Sequence, residues 1–256
     1  MFLNVKRVEL GDRLRVLLGG GGNSLVFVHG QDAFVTDVKM GDYALKLRRE
    51  VEEELGRTVQ RVMLTHAHFD HAGGLWAFPG VAVVLVHPTA RARLEAKGVK
   101  ARFVEVEREV ELVLGGETVR VLNVGSGHTD GDLVAYFPGR KLLVAGDLFQ
   151  GWHGPHVVDG DGGDIARLEE TTRRLLELDV ERIVPGHGEL TDRAPLIRTA
   201  AYLTELRERV ADAKGKGLSE DETAKGVQLE GYADLGDFFG LDSREKNVRR
   251  MYKALP

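Results

Sequence analysis

The stretch Thr65-His66-Ala67-His68-Phe69-Asp70-His71 restricts this chain more than any other feature. It sets three imidazoles and a carboxylate within six residues, directly after the apolar run Val62-Met63-Leu64. In extended or turning backbone His66 and His68 point the same way. Asp70 and His71 fall where a helix would begin, and Gly73 and Gly74 permit a close approach. One pair of these groups can reach one metal ion and the next pair a second ion a few ångströms away. Imidazole and carboxylate suit zinc, and also iron or manganese. The chain has no cysteine, so thiolate zinc sites, iron–sulfur clusters and disulfides are excluded.

A metal site needs rigid support, so further ligands are expected at the ends of other strands. Three candidates occupy such places. The apolar run 119–124 leads to Gly125-Ser126-Gly127-His128, the run 142–145 leads to Gly146-Asp147, and the run 180–184 leads to Pro185-Gly186-His187-Gly188. Singly, each is ordinary loop chemistry beside glycine. Their joint order is far more specific.

The rest of the pattern says what carries these ends. Residues 14–18, 24–28 and 33–38 read as a meander of strands broken by the glycines at 19–22. Residues 43–55 read as an amphipathic helix, with Leu47, Val51 and Leu55 four apart and Gly56 as the stop. Strands are expected over 59–64, 81–86, 110–114, 118–124, 133–137, 141–145 and 183–184, and helices over 89–97 and 165–178. Strands and helices recur in both halves, which suggests an α+β chain whose helices cover two stacked sheets. From residue 192 onward no strand is expected. A long helix over 193–214, with Pro195 in its first turn, and two or three shorter helices ending at Tyr252 make a helical C-terminal extension. The expected division is 1–191 for the main domain and 192–256 for an extension packed on it. Leu203, Leu206 and Val210 form a stripe suited to that packing, with homodimerisation through these helices as the alternative.

Composition removes several classes. The 256 residues are 43% hydrophobic and carry a net charge of −5, with a pI of about 6.0. That is enough for a sizeable core and lacks the basic footprint of a nucleic-acid binder. Charges interrupt the N-terminal residues every few positions, so no secretory signal is expected. No stretch approaches the roughly 20 apolar residues of a membrane helix. The expectation is a cytoplasmic protein acting on a small molecule.

The order H-x-H-x-D-H followed by a distant His, Asp and His resembles the metallo-β-lactamase-fold hydrolases over roughly residues 12–190. Gly127-His128-Thr129, Ala145-Gly146-Asp147 and Pro185-Gly186-His187-Gly188 look like that family's later motifs. Asn23-Ser24-Leu25 and Thr36-Asp37 are similar to its opening strands. The resemblance implies a four-layer αββα sandwich with the metals at one edge of the sheets. Carried over position by position, His66, His68 and His128 hold one metal, Asp70, His71 and His187 hold a second, and Asp147 bridges them. Asp37 orients a ligand histidine by accepting its ring N–H, the other reading being a strand-end turn residue.

A dinuclear zinc centre of this kind implies a hydrolase in which a metal-bridging hydroxide attacks a small ester, lactone or thioester. Asp70 both holds metal and orients the nucleophile or shuttles its proton. The ligand set is nearest to glyoxalase-II-like and lactonase-like members. Asp147 and the lack of cysteine tilt away from lactam hydrolysis. Residues 148–156 depart from the glutathione-thioesterase stretch, and the acidic charge disfavours RNA-processing relatives. The alternatives are an iron-dependent oxidoreductase on the same scaffold, a weak lactamase or phosphodiesterase, and a non-enzymatic metal binder. Trp152, His153 and His156 follow Asp147 closely and either line a pocket or pack the loop. His87 reads as structural, His29 as exposed in a turn, and Ser126 as a turn residue. Arg249, Arg250, Tyr252 and Lys253 could close over the site.

Overall fold

The computed structural model describes residues 5–151, 154–235 and 244–256. Two mixed sheets are built in nearly sequential order. The first holds β1 (Lys6–Glu9), β2 (Leu14–Leu18), β3 (Ser24–His29), β4 (Asp32–Thr36), β5 (Thr58–Met63), β6 (Val83–Val86) and β7 (Phe103–Glu105), side by side in that order. The second holds β8 (Glu109–Leu114), β9 (Glu117–Leu122), β10 (Val134–Phe137), β11 (Leu142–Gly146) and β12 (Arg182–Pro185). Pairing is antiparallel from β1 to β4 and parallel from β4 to β7. In the second sheet only β11 and β12 run parallel.

Side-chain alternation fixes which face of each strand meets the other sheet. Phe34, Met63 and Leu85 of the first sheet join Val121, Phe137 and Val144 of the second in one buried cluster between the sheets. Their chain neighbours point outward. Val35, Val62 and Val84 pack under α1 (Gly41–Arg49), α2 (Phe69–Ala72) and α3 (Pro88–Ala96). Val134, Leu143 and Ile183 pack under α4 (Ile165–Glu177), α5 (Ala194–Gly215), α6 (Glu220–Gly226) and α7 (Arg244–Ala254). The result is the expected αββα sandwich with a helical C-terminal extension.

Leu203, Leu206 and Val210 of α5 are fully buried in the same cluster as Leu143 and Ile183, so the stripe is spent within the chain. Pro195 sits in the first turn of α5. The helix expected over 43–55 is narrower than its pattern. Regular geometry ends at Arg49 and the last turn widens, with Leu55 N–H bonded to Glu50 O. Glu50 in that turn is buried and ion-paired with Arg7 and Arg15. Strands β1 and β7 were not expected. They are the two edges of the first sheet; β1 carries exposed charges there, and β7 is only three residues long, both of which blunt an open hydrogen-bonding row. No helix among the described residues is long and apolar enough to cross a membrane.

Candidate metal centre

Each candidate ligand is delivered by a strand end. Leaving β5, Leu64 N–H bonds Leu85 O and Thr65 N–H bonds Asp37 Oδ1 at 2.8 Å, which fixes the path into His66. His68 is the extended residue before α2, so Asp70 and His71 occupy its first turn. His128 stands in the loop after β9. Asp132 closes that loop by accepting from Gly127 N at 3.1 Å, Thr129 N at 2.9 Å and Thr129 Oγ1 at 2.6 Å. Asp147 and His187 follow β11 and β12, which lie side by side with Gly146 opposite Pro185. Two glycines make room. A Cβ on Gly186 would stand 1.8 Å from Asp147 Oδ1, and one on Gly22 would stand 2.3 Å from the His71 ring.

All seven candidate residues converge. His66 Nε2 and His128 Nε2 lie 2.9 and 3.0 Å from His68 Nδ1. The outer nitrogens decide what faces inward. Thr65 Oγ1 donates to Asp37 Oδ2 at 2.7 Å, so it accepts from His66 Nδ1 at 3.0 Å. His128 Nδ1 donates to His156 O at 3.0 Å, and His68 Nε2 donates to Asp161 Oδ2 at 2.9 Å. With those protons pinned outside, three lone pairs face one another and no hydrogen lies between them. Such an arrangement suits a shared cation.

The second cluster is built around carboxylates. His71 Nδ1 donates to Asp37 Oδ2 at 2.7 Å, which turns its Nε2 inward, 3.3 Å from His187 Nε2. Asp70 Oδ2 lies 3.2 Å from His187 Nε2 and 3.5 Å from His71 Nε2. Asp147 stands between the two groups. Its Oδ1 is 3.2 Å from His71 Nε2, and its Oδ2 is 3.4 Å from His187 Nε2 and 3.5 Å from His128 Nε2. Gln150 Nε2 donates to Oδ2 at 2.8 Å, while the buried Oδ1 has no hydrogen-bond donor. Among the described residues three sets could hold a metal ion: His66, His68 and His128; His66, His71 and Asp147; Asp70, His71 and His187. An oxygen left without a donor and lone pairs left without protons fit a divalent centre.

Electrostatics separates the two halves. Burial pushes His66 well below the usual imidazole range and His128 down to about 3, and it lowers His68 despite the Asp161 hydrogen bond. These rings are held neutral, the form that binds metal. In the other half burial is overcome. Asp147, Asp70 and Asp37 raise His71 well above its ordinary value, and Asp147 and Asp70 lift His187 to about 9. Burial would raise the two acids, but the histidines bring Asp70 down to about 2 and Asp147 well below the carboxylate range. The pocket therefore attracts positive charge, whether a proton on these histidines or a metal ion in its place.

Asp37 is the ring-orienting carboxylate anticipated for it, and its target is His71. Asp37→Asn is expected to weaken metal affinity about 10–100-fold, because an amide cannot accept from both Thr65 and His71. Competition with a chromophoric chelator measures this, and an unchanged affinity would remove Asp37 from that role. Three supporting groups were not anticipated. Asp161 orients His68 and is itself held by Arg93, whose Nε lies 3.1 Å from Asp161 Oδ1. The carbonyl of His156 orients His128, and the two rings pack 5.0 Å apart. Lys39, with φ +62°, is fully buried. Its ammonium donates to Leu17 O, Gly19 O and Gly22 O at 2.7–3.0 Å and so ties the glycine-rich turn beneath His71. Burial lowers Lys39 to about 7.

The geometry corrects some of the other expectations and bears out those for His87 and Ser126. Arg249 pairs with Asp221 and Glu245, Lys253 with Glu220, and the Tyr252 hydroxyl donates to Leu218 O. These groups knit α7 to α6 and its approach, away from the metal residues. Arg250 reaches Asp159. His29 is half-buried against Phe27 rather than free in a turn. His87 caps α3, accepting from Thr89 N–H. The Ser126 carbonyl is tied to Thr171 Oγ1 at 2.7 Å, as befits a turn residue. Trp152 and His153 lie outside the described residues.

A two-sheet sandwich with clustered histidines and aspartates at its strand ends defines a metal-dependent hydrolytic enzyme. Residues 17–187 match the model of the Metallo-beta-lactamase superfamily, and the chain belongs to that superfamily. The chain is 26% identical over 192 residues to a metallo-beta-lactamase type 2 of Bacillus cereus, covering 71% of this chain and 72% of that protein. It is 29% identical over 189 residues to the human acyl-coenzyme A thioesterase MBLAC2, covering 60% of this chain and 64% of that one. Among solved structures, a metallo-beta-lactamase from Pontibacter korlensis superposes with a TM-score of 0.71 at 20% identity, over 78% of this chain and 99% of that one. The DIM-1 metallo-beta-lactamase gives 0.68 at 20% identity, over 78% and 97%. At such identities the superpositions speak for the fold. The family match ends at His187, so α5, α6 and α7 lie beyond it.

Proposed function

We propose that the chain is a dinuclear zinc hydrolase acting on a small ester, lactone or thioester. His66, His68 and His128 would hold one ion, Asp70, His71 and His187 the other, with Asp147 shared between them. The observation that carries this reading is the position of Asp147. Its carboxylate lies within 3.5 Å of histidines from both clusters, and one oxygen is buried without a donor. When bound, a pair of divalent ions supplies a water of lowered pKa and a Lewis acid for a carbonyl oxygen. Nitrogen and oxygen donors of this type favour zinc, with iron or manganese as competitors.

The chain's own groups do the rest. Asp161, His156 O and Asp37 hold the rings of His68, His128 and His71 in the tautomer that offers a lone pair. Asp70 is the most exposed candidate ligand, with its side chain about one third exposed. The histidines hold its carboxylate down to about 2, so it is ionised at neutral pH and equipped to orient an attacking water by accepting a hydrogen bond from it. The similarity to a lactamase and to an acyl-coenzyme A thioesterase supports acyl transfer to water as the shared chemistry. The acidic residue at 147 and the absence of cysteine support esters and thioesters over lactams.

Zinc-loaded protein offered thioesters, lactones, lactams and phosphodiesters is expected to hydrolyse an ester-type or thioester bond fastest. Purification without added metal should yield about two zinc ions per chain. A single iron accompanied by oxygen uptake would sink the hydrolase reading.

A further inference from the structure

The helical face of the first sheet carries a cavity of about 580 Å³ that takes no part in the metal centre. It opens between the residues that follow α2 and the segment that joins α3 to β7. Its volume falls in the roughly 300–1,000 Å³ range of small-molecule sites. The floor is apolar, with Phe78 buried and Val99 half-buried at the cavity wall. Trp76 stands at the same cavity with 58% of its surface exposed. The exposed ring of Trp76 gives the hollow an aromatic wall on which an apolar chain can lie.

Charge at the rim specifies the cover. Lys97, Lys100 and Arg102 line the cavity, and all three are exposed. Among the described residues none of them makes a side-chain ion pair. The contrast lies on the preceding helix. Arg91 of α3 is paired with Glu95 and Glu105, and Arg93 with Asp130 and Asp161. In a chain with 40 acidic and 35 basic residues, three neighbouring cations without an acidic partner at one apolar hollow are placed to meet an anion from outside. Arginine supplies a planar fork for a carboxylate or phosphate, and the lysines add point charges.

The geometry points to a second ligand site here, for a medium-chain aliphatic anion. The chain lies on Trp76, Phe78 and Val99, and the carboxylate or phosphate head meets Lys97, Lys100 and Arg102. Ala72 and Gly73 also border the cavity, directly after the ligand candidate His71. The bound anion therefore lies against the back of the segment that carries Asp70 and His71, on the helical face of the sheet.

Calorimetric titration with decanoate tests this in protein stripped of metal by a chelator and in the zinc-loaded protein. Saturable binding is expected in both, because the site does not use the metals. Decyl phosphate should also bind, while decylamine and acetate should not, the first lacking the anion and the second the chain. The triple variant K97A/K100A/R102A is expected to weaken decanoate about tenfold, as is a rise in ionic strength. Trp76→Ala should weaken it through the chain. All four positions are exposed, so the variants should fold, which circular dichroism checks. Binding that disappears on chelation would place the anion at the metals and overturn the proposal. Equal affinity in the triple variant would overturn it as well. The stripped-protein titration stands or falls independently of any hydrolytic activity.

Discussion

Asp147→Ala is expected to reduce bound zinc from about two ions per chain to about one and to lower turnover on the order of 10³-fold, since metal stabilisation of transition-state charge is worth several kcal/mol. The reason is positional. Of the two candidate carboxylates, Asp147 is the one that approaches histidines of both clusters, and its Oδ1 has no other partner in a buried pocket. Removing it also unmasks charge. His71 and His187 owe their raised pKa values chiefly to Asp147, so without it both rings move toward neutrality. Metal analysis and turnover of the best ester substrate measure the effect. A variant that keeps both ions and full rate would show that the centre is not bridged at 147.

The second large effect concerns the C-terminal helices. Leu206→Ala is expected to destabilise the whole chain by roughly 2–5 kcal/mol. Leu206 is fully buried and belongs to a cluster that also contains Leu143, Ile183 and Leu168. We propose that 192–256 is an extension of the main domain's core rather than an independent unit. Thermal unfolding of the metal-free protein should then show one transition, shifted down by roughly 2–4 °C per kcal/mol. Far-ultraviolet circular dichroism and tryptophan fluorescence should report the same midpoint. A separate low-temperature transition confined to helix signal would mean that the extension melts by itself.

Much of this was legible because the informative residues sit at the ends of strongly apolar strands. Val62-Met63-Leu64 before His66, and Leu142 to Ala145 before Asp147, announce both the strand and the group it delivers. Alternation also gave β8, whose exposed Glu109 and Glu111 alternate with the inward Val110 and Leu112. What escaped had physical causes. Strands β1 and β7 are short sheet edges, β1 mostly charged and β7 only three residues long, so neither shows an apolar run. Asp161 lies 93 residues from His68 in the chain, and nothing local marks an aspartate in a turn as a histidine's partner. His156 acts through a backbone carbonyl, which every residue possesses. Lys39 looks like a surface lysine, and only the fold brings three carbonyl oxygens around its ammonium.

The spread of the ligands along the chain imposes an order of events on a protein made from its N-terminus. His66, His68 and His128 lie on segments that are complete once β9 and its following loop exist. His71 and His187 are 116 residues apart, and His187 arrives only with β12. Asn23 then locks that last arrival in place, with its backbone N–H on Gly186 O at 2.7 Å and its amide on Pro185 O and Gly188 O. The groups that orient the three-histidine seat, Asp161 and the carbonyl of His156, also come after β11, so both seats wait for the later half of the chain.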